Sequence, residues 1–265
     1  MGVVDFHAHL LNEGGYAQAL AEAARTLGFD ALCLGGGKPC YGLATNEEVL
    51  EHARTYPDLF VPFADLELGR DGAARVEEMA DAGFRGLKVS APPKPYDDPD
   101  FFPVYEAARA LGLPVLFHTG YVPATPMDRA LGVRCEHMRP VYVDTVARHF
   151  PGLRVVGTSL GSPWCEEAFE TLRNNDNVFF DLSGEVLKRK DLGYFRNLIR
   201  SGTDSGLGGR RTENPCSRLV FGSGAHVEEI EGVERYYQRL FRSLAVEDEV
   251  KERVMGGTAR RLLEE

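Results

Sequence analysis

The sequence has few of the residues that staple a small fold or carry a chain into a membrane. Its 5 cysteines (Cys33, Cys40, Cys135, Cys165 and Cys216) are odd in number and include no Cys-x-x-Cys pair, which argues against a disulfide framework and against a zinc ribbon. No apolar run approaches the roughly 20 residues of a membrane-spanning helix, so no membrane partner is expected. Positive charge is also scarce. The 30 Lys and Arg against 40 Asp and Glu leave a formal charge of −10, which repels phosphate backbones and argues against nucleic-acid binding. Low-complexity tracts and linkers are missing too, so residues 1–265 are expected to form one domain. A strand pattern opens at residue 3 in place of a signal peptide's basic and apolar regions, and a cytoplasmic protein is expected.

What the sequence does have begins in that first strand, Val-Val-Asp-Phe-His-Ala-His-Leu from Val3 to Leu10. Residues two apart on a strand share a face, so His7 and His9 point the same way, about 7 Å apart along the backbone. Two imidazoles placed so can converge on one metal ion. Asp5 is assigned to the same face by the same alternation, and is expected to orient one of them.

Along the rest of the chain, apolar runs at 30–34, 59–66, 84–90, 113–118, 153–158, 178–182 and 219–221 read as strands. Between them, helical spacing covers 15–27, 72–82, 100–111, 140–150, 164–173 and 191–201, and Asn46 is placed to cap a further helix running to Tyr56. Two more helices, 228–244 and 247–263, close the chain, and a Gly-, Ser- and Arg-rich loop spans 202–217. Eight strands alternating with helices point to a parallel sheet closed into a single (β/α)8 TIM barrel, with an open doubly wound sheet as the alternative. The triple glycine Gly35-Gly36-Gly37 lacks the residues of a phosphate-binding loop and reads as a flexible loop over a site. In a barrel the site lies at the C-terminal ends of the strands, where the histidine pair falls.

Other polar residues fall at the same end. His118 ends the fifth strand and is the candidate third metal ligand; three neutral imidazoles suit zinc best among divalent metals. Lys88 ends the fourth strand on the face of Gly86 and Ser90, placed to hold an anionic substrate or, if carboxylated, to bridge two metals. Asp181 ends the seventh strand. His137 and His226 lie in loops on the presumed active face, whereas His52 and His149 fall in helices.

The motif series resembles the amidohydrolase superfamily, in its amidohydrolase 2 branch of metal-dependent hydrolases and decarboxylases. The resemblance rests on Asp5-Phe-His-Ala-His9, Gly86-Leu-Lys88, the run from Leu113 to Gly120 around His118, Leu160-Gly-Ser-Pro-Trp164, Phe180-Asp-Leu-Ser183, Phe221-Gly-Ser223 and Gly256-Gly-Thr-Ala-Arg-Arg-Leu-Leu263. It implies a barrel holding a divalent metal, most simply zinc, on His7, His9 and His118, and a small carboxylated or cyclic substrate to be hydrolysed or decarboxylated. Two positions depart from the family. Ser159 stands where a histidine is usual at the end of the sixth strand, and Gly224 where an aspartate is usual at the end of the eighth; Thr258 replaces a frequent asparagine. Strand parity aligns Ser159 with Val155 and Gly157, and Gly224 with Gly222. Hydrolysis needs a base within hydrogen-bonding reach of the attacking water, and such a base contributes about 10²- to 10⁴-fold. The candidates left are His226, Glu228, Asp181 and Glu136. Two readings follow: an enzyme using Lys88, His226 and Asp181 in catalysis, or a barrel that binds a small molecule without turning it over. The outer helices leave surface for a homodimer.

Overall fold

The computed structural model describes residues 2–184, 190–200 and 215–264. Eight parallel strands pair in chain order: β1 (Val3–His9), β2 (Phe29–Gly35), β3 (Phe60–Leu66), β4 (Gly86–Val89), β5 (Val115–Phe117), β6 (Val155–Gly157), β7 (Val178–Asp181) and β8 (Leu219–Val220). The ring closes just past β8, where the Phe6 N–H donates to the Phe221 carbonyl (2.9 Å) and the Gly224 N–H to the His7 carbonyl (2.8 Å). This is the TIM barrel expected from eight strand–helix alternations.

The strands are apolar on both faces because both are covered. Val4, Phe6, Cys33, Phe63, Leu116, Val156, Phe179 and Val220 fill the barrel interior, one or two from every strand but β4. The residues between them, such as Leu32, Leu34, Leu87, Val115, Phe117 and Val155, pack outward against the helices. Period-two alternation is therefore present, but both sets are hydrophobic, and it appears in the sequence only as continuous runs. Among the described residues, no helix is long and apolar enough to cross a membrane.

Helices α1 (Tyr16–Thr26), α2 (Asn46–Thr55), α3 (Ala73–Ala82) and α4 (Phe102–Ala110) follow β1 to β4. Thr45, not Asn46, caps α2: its hydroxyl accepts from the Glu48 N–H while the Glu48 carboxylate accepts from the Thr45 N–H. Asn46 instead bonds both backbone groups of Asp65, its Oδ1 accepting from N–H (2.8 Å) and its Nδ2 donating to C=O (2.9 Å), which ties α2 to the end of β3. Between β5 and β6 the connection forms a short helix, α5 (Asp128–Leu131), and a turn at Cys135–Met138 before α6 (Pro140–His149). Helices α7 (Cys165–Asn174) and α8 (Leu192–Arg200) follow β6 and β7, and α9 (Ile230–Ser243) follows β8. Residues 202–214 of the glycine-rich loop lie outside the described residues.

The helix read over 247–263 runs through from Asp248 to Glu264, with one wider π-type turn, Arg253–Gly257, joining α10 (Asp248–Glu252) to α11 (Thr258–Glu264). A side chain at Gly256 would place its Cβ 2.5 Å from the Gly2 carbonyl, so glycine lets this turn lie against the base of β1.

Candidate active site at the barrel mouth

The site begins with an irregularity in β1. Asp5 pairs with Leu32 and Ala8 with Leu34, so β1 carries one extra residue over this stretch. The bulge resets the alternation. Val4 and Phe6 point into the barrel below it, and His7 and His9 above it, with Ala8 packed outward. Asp5 therefore does not join the imidazoles. Its Oδ1 accepts from the His7 N–H (2.9 Å) and the Ser223 N–H (2.9 Å), so it fastens β1 to the chain leaving β8 instead of orienting a ring.

Asp181 takes the orienting place. Its Oδ2 lies 2.8 Å from His7 Nδ1, and its Oδ1 accepts from the backbone N–H groups of Ser159 (2.6 Å) and Ser183 (2.8 Å). Burial alone would raise the pKa of this carboxyl, but His7 and the bonds from Ser183 and Ser159 outweigh it and hold the pKa below the usual carboxylate value. An ionised carboxylate only accepts, so Nδ1 of His7 carries a proton, and in the neutral ring the lone pair falls on Nε2. His7 is 4% exposed, and its Nε2 is buried with no partner among the described residues.

His9 stands beside it, ring centroids 4.7 Å apart, and its Nδ1 lies 3.0 Å from Lys88 Nζ. Lys88 also donates to the Gly36 carbonyl (3.1 Å) and is 3% exposed; burial lowers its pKa to about 8. His118, at the end of β5, turns Nε2 to the Tyr121 carbonyl (3.2 Å). Burial holds His9 well below its usual pKa and brings His118 down to about 4, so both rings are neutral. Among the described residues, no three His, Cys, Asp or Glu side chains are already gathered as a cation site. The donors nevertheless suit a divalent metal. Two rings are held neutral, the bond of His118 Nε2 to the Tyr121 carbonyl leaves its Nδ1 with a lone pair, and His7 offers a nitrogen unpartnered among the described residues; His9, whose Nδ1 accepts from Lys88, carries its proton on Nε2 and joins a metal only with a change of tautomer.

Ser159 reaches this cluster by a route strand parity does not describe. Val155 faces outward and Val156 inward, so alternation alone would turn Ser159 away. Ser159 (φ 53°) and Leu160 (φ 44°) both adopt left-handed backbone, and the turn brings Ser159 Oγ to 2.9 Å from Ser183 Oγ. Gly224 (φ 53°) lies on the other side of Ser183. A Cβ there would stand 2.9 Å from Ser183 Cβ and 3.4 Å from His7 Nδ1. The two departures from the family pattern thus flank one serine, whose hydroxyl is 3.2 Å from His7 Nδ1.

Other candidates stay apart. His226 packs edge-on against Tyr16 (5.3 Å), lies 3.7 Å from Glu13 and caps the turn Val227–Glu229. Glu136 is exposed beside Arg134, Glu228 is exposed, and His137 bonds the Pro92 carbonyl. Sequence reasoning passed over Ser183, although it lies two residues beyond Asp181, and passed over Asp65, which pairs with Lys88 in the β3–β4 register.

The family model described as Amidohydrolase matches residues 4–264. No protein of curated function matches the chain. Among solved structures, an uncharacterized TIM-barrel protein from Bordetella bronchiseptica is similar at 20% identity and TM-score 0.76, over 99% of this chain and 98% of that one. The 5-carboxyvanillate decarboxylase LigW from Sphingomonas paucimobilis is similar at 15% identity and TM-score 0.68, over 99% and 98%. A dihydroxybenzoic acid decarboxylase from Polaromonas, with bound manganese and the inhibitor 2-nitroresorcinol, is similar at 14% identity and TM-score 0.68, over 99% and 97%.

Proposed function

Because the chain belongs to the amidohydrolase family, we propose that it is a metal-dependent enzyme that hydrolyses or decarboxylates a small carboxylated or cyclic molecule at the barrel mouth. His7, His9 and His118 are its proposed metal ligands. The observation that carries this reading is His7: a buried ring whose Nδ1 is held by Asp181 and whose Nε2 has no partner among the described residues. A divalent metal bound there supplies a Lewis acid that polarises a substrate oxygen. The chain's own side chains do the rest. Asp181 keeps the proton on His7 Nδ1 and holds the turn at Ser159. Lys88 presents a cation to an anionic group of the substrate. His226 is too far engaged with Glu13 and Tyr16 to be given the acid–base role here. Decarboxylases among the similar structures support a carboxylated ring as the substrate class. Zinc suits the three imidazoles, and manganese, bound in one similar structure, is the competing ion.

Elemental analysis of the purified chain and of His7→Ala tests the proposal. Near-stoichiometric divalent metal in the first and its loss in the second are expected. A chain that takes up no metal even after incubation with zinc overturns it. One observation favours a second reading, ligand binding without turnover: Gly224 leaves the end of β8 without a carboxylate. Turnover of any carboxylated ring that disappears in His7→Ala would dismiss that reading.

A further inference from the structure

The triple glycine that ends β2, Gly35-Gly36-Gly37, and the lysine beyond it wrap around Lys88. At Gly35 a Cβ would stand 3.2 Å from Lys88 Cδ, and at Gly36 one would stand 2.2 Å from the Ala44 carbonyl oxygen. Bare glycines therefore let the loop close on the lysine. The Gly36 carbonyl accepts from Lys88 Nζ (3.1 Å), and Lys38, two residues on, crosses to β4 and donates to the Ser90 carbonyl (3.3 Å). Ser90 follows Lys88 by two residues, so both ammonium groups gather at the mouth end of β4.

The charge of opposite sign that the strand register sets beside Lys88 is Asp65, across from it on β3. Asp65 Oδ1 is buried without a hydrogen-bond partner among the described residues, so that oxygen is not spent on either lysine. Among the described residues, Lys88 bonds only His9 Nδ1 and the Gly36 carbonyl, which leaves one of its three N–H groups unused. A buried ammonium without a directly bonded carboxylate is costly unless an anion joins it. Asp65 feels the charge of both lysines, so the three groups share one wall, and Lys38 is half-buried.

We infer that Lys38 and Lys88 together receive the carboxylate of a small cyclic acid, on the β2–β4 wall beside His9. The inference rests on the reading that the mouth takes a carboxylated molecule, and it adds which wall holds the carboxylate and brings in Lys38 as a specificity-determining residue. A carboxylate has two oxygens and can bridge two ammonium groups, whereas an uncharged amide of the same shape cannot repay their desolvation.

Salicylate and its uncharged analogue salicylamide serve as probes, titrated calorimetrically into the full chain, Lys38→Gln and Lys38→Arg, with metal content measured on each preparation. The full chain should prefer salicylate. Lys38→Gln should weaken salicylate about tenfold or more, since a charge-assisted bond is lost, and leave salicylamide unchanged. Lys38→Arg should keep the preference. Equal affinity of salicylate for the full chain and Lys38→Gln, or no preference over salicylamide in the full chain, overturns the inference. Metal present without the preference counts against this wall alone, whereas the preference in a metal-free chain supports the wall and counts against the metal reading alone.

Discussion

Asp181→Asn is the perturbation that separates a working His7 from an ornamental one. The amide keeps an oxygen for the backbone N–H groups of Ser159 and Ser183, now at 2.6 and 2.8 Å from Oδ1. Its NH2 group, however, must face His7 Nδ1, 2.8 Å from Oδ2, and two donors cannot share that contact. The ring then shifts its proton to Nε2, into a buried place with no acceptor among the described residues. Losing one charge-assisted bond and burying one unpaired donor, less the neutral bond regained at Nδ1, costs about 3 kcal/mol. Metal affinity should fall about 10- to 100-fold, because the lone pair is lost and the ring's partner is altered. Asp181→Ala should cost more, since it strands both backbone N–H groups as well. The assays are urea unfolding at neutral pH, nitrogen NMR of the His7 ring, and zinc titration. Acidity supplies a check of sign. A carboxyl whose pKa is lowered in the folded state contributes its full stability above the ordinary value of about 4 and loses it as pH falls through the lowered value, so wild type and Asp181→Asn should converge in acid. A His7 ring still protonated on Nδ1 in Asp181→Asn would refute the reasoning, whatever the stability.

Two further outcomes follow from neighbouring residues. Burial raises the Asp65 pKa to about 6, against the weaker pull of Lys88 and Lys38. The folded state thus holds an extra proton between about pH 4 and 6, and stability falls as pH rises through that window. Asp65→Asn should gain about 2 kcal/mol at pH 7.5 and nothing below pH 4, read by urea unfolding at both; an equal effect at both pH values would contradict the assignment. Gly224→Asp, which restores the family's usual residue, should destabilise by about 1–2 kcal/mol, because φ is 53° and the added Cβ meets Ser183 Cβ at 2.9 Å. A thermal melt tests it, and a stabilised variant would show that the mouth readily reopens around Ser183.

The barrel was readable because its strands are buried on both sides, which leaves apolar runs too short for helices and regularly spaced between helical patterns. The mouth was less so. Strand alternation assigned Asp5 to the imidazole face, and a single bulged residue in β1 moved it to the β1–β8 seam. The carboxylate that holds His7 lies 174 residues away, a pairing that no local pattern encodes. Ser159 reaches Ser183 through two successive left-handed residues, although neither Ser nor Leu advertises such backbone. Asn46 and Thr45 both make good caps; what chose between them was Asp65, whose backbone Asn46 satisfies from another element. Local chemistry was visible wherever the partner was close in sequence, and hidden wherever closure of the ring supplied the partner.

The seam at Asp5 sets the order in which the chain can acquire its site. That carboxylate joins residues 218 apart, and the same step brings the Gly224 N–H to the His7 carbonyl. A barrel with its last strand undocked would hold His7 in the chain but leave its backbone unanchored on one side, so the site matures with the final closure and not before. For the metal site proposed above, cation capture would then be a clock for assembly: the moment a chain leaving the ribosome first retains metal should mark the arrival of its eighth strand.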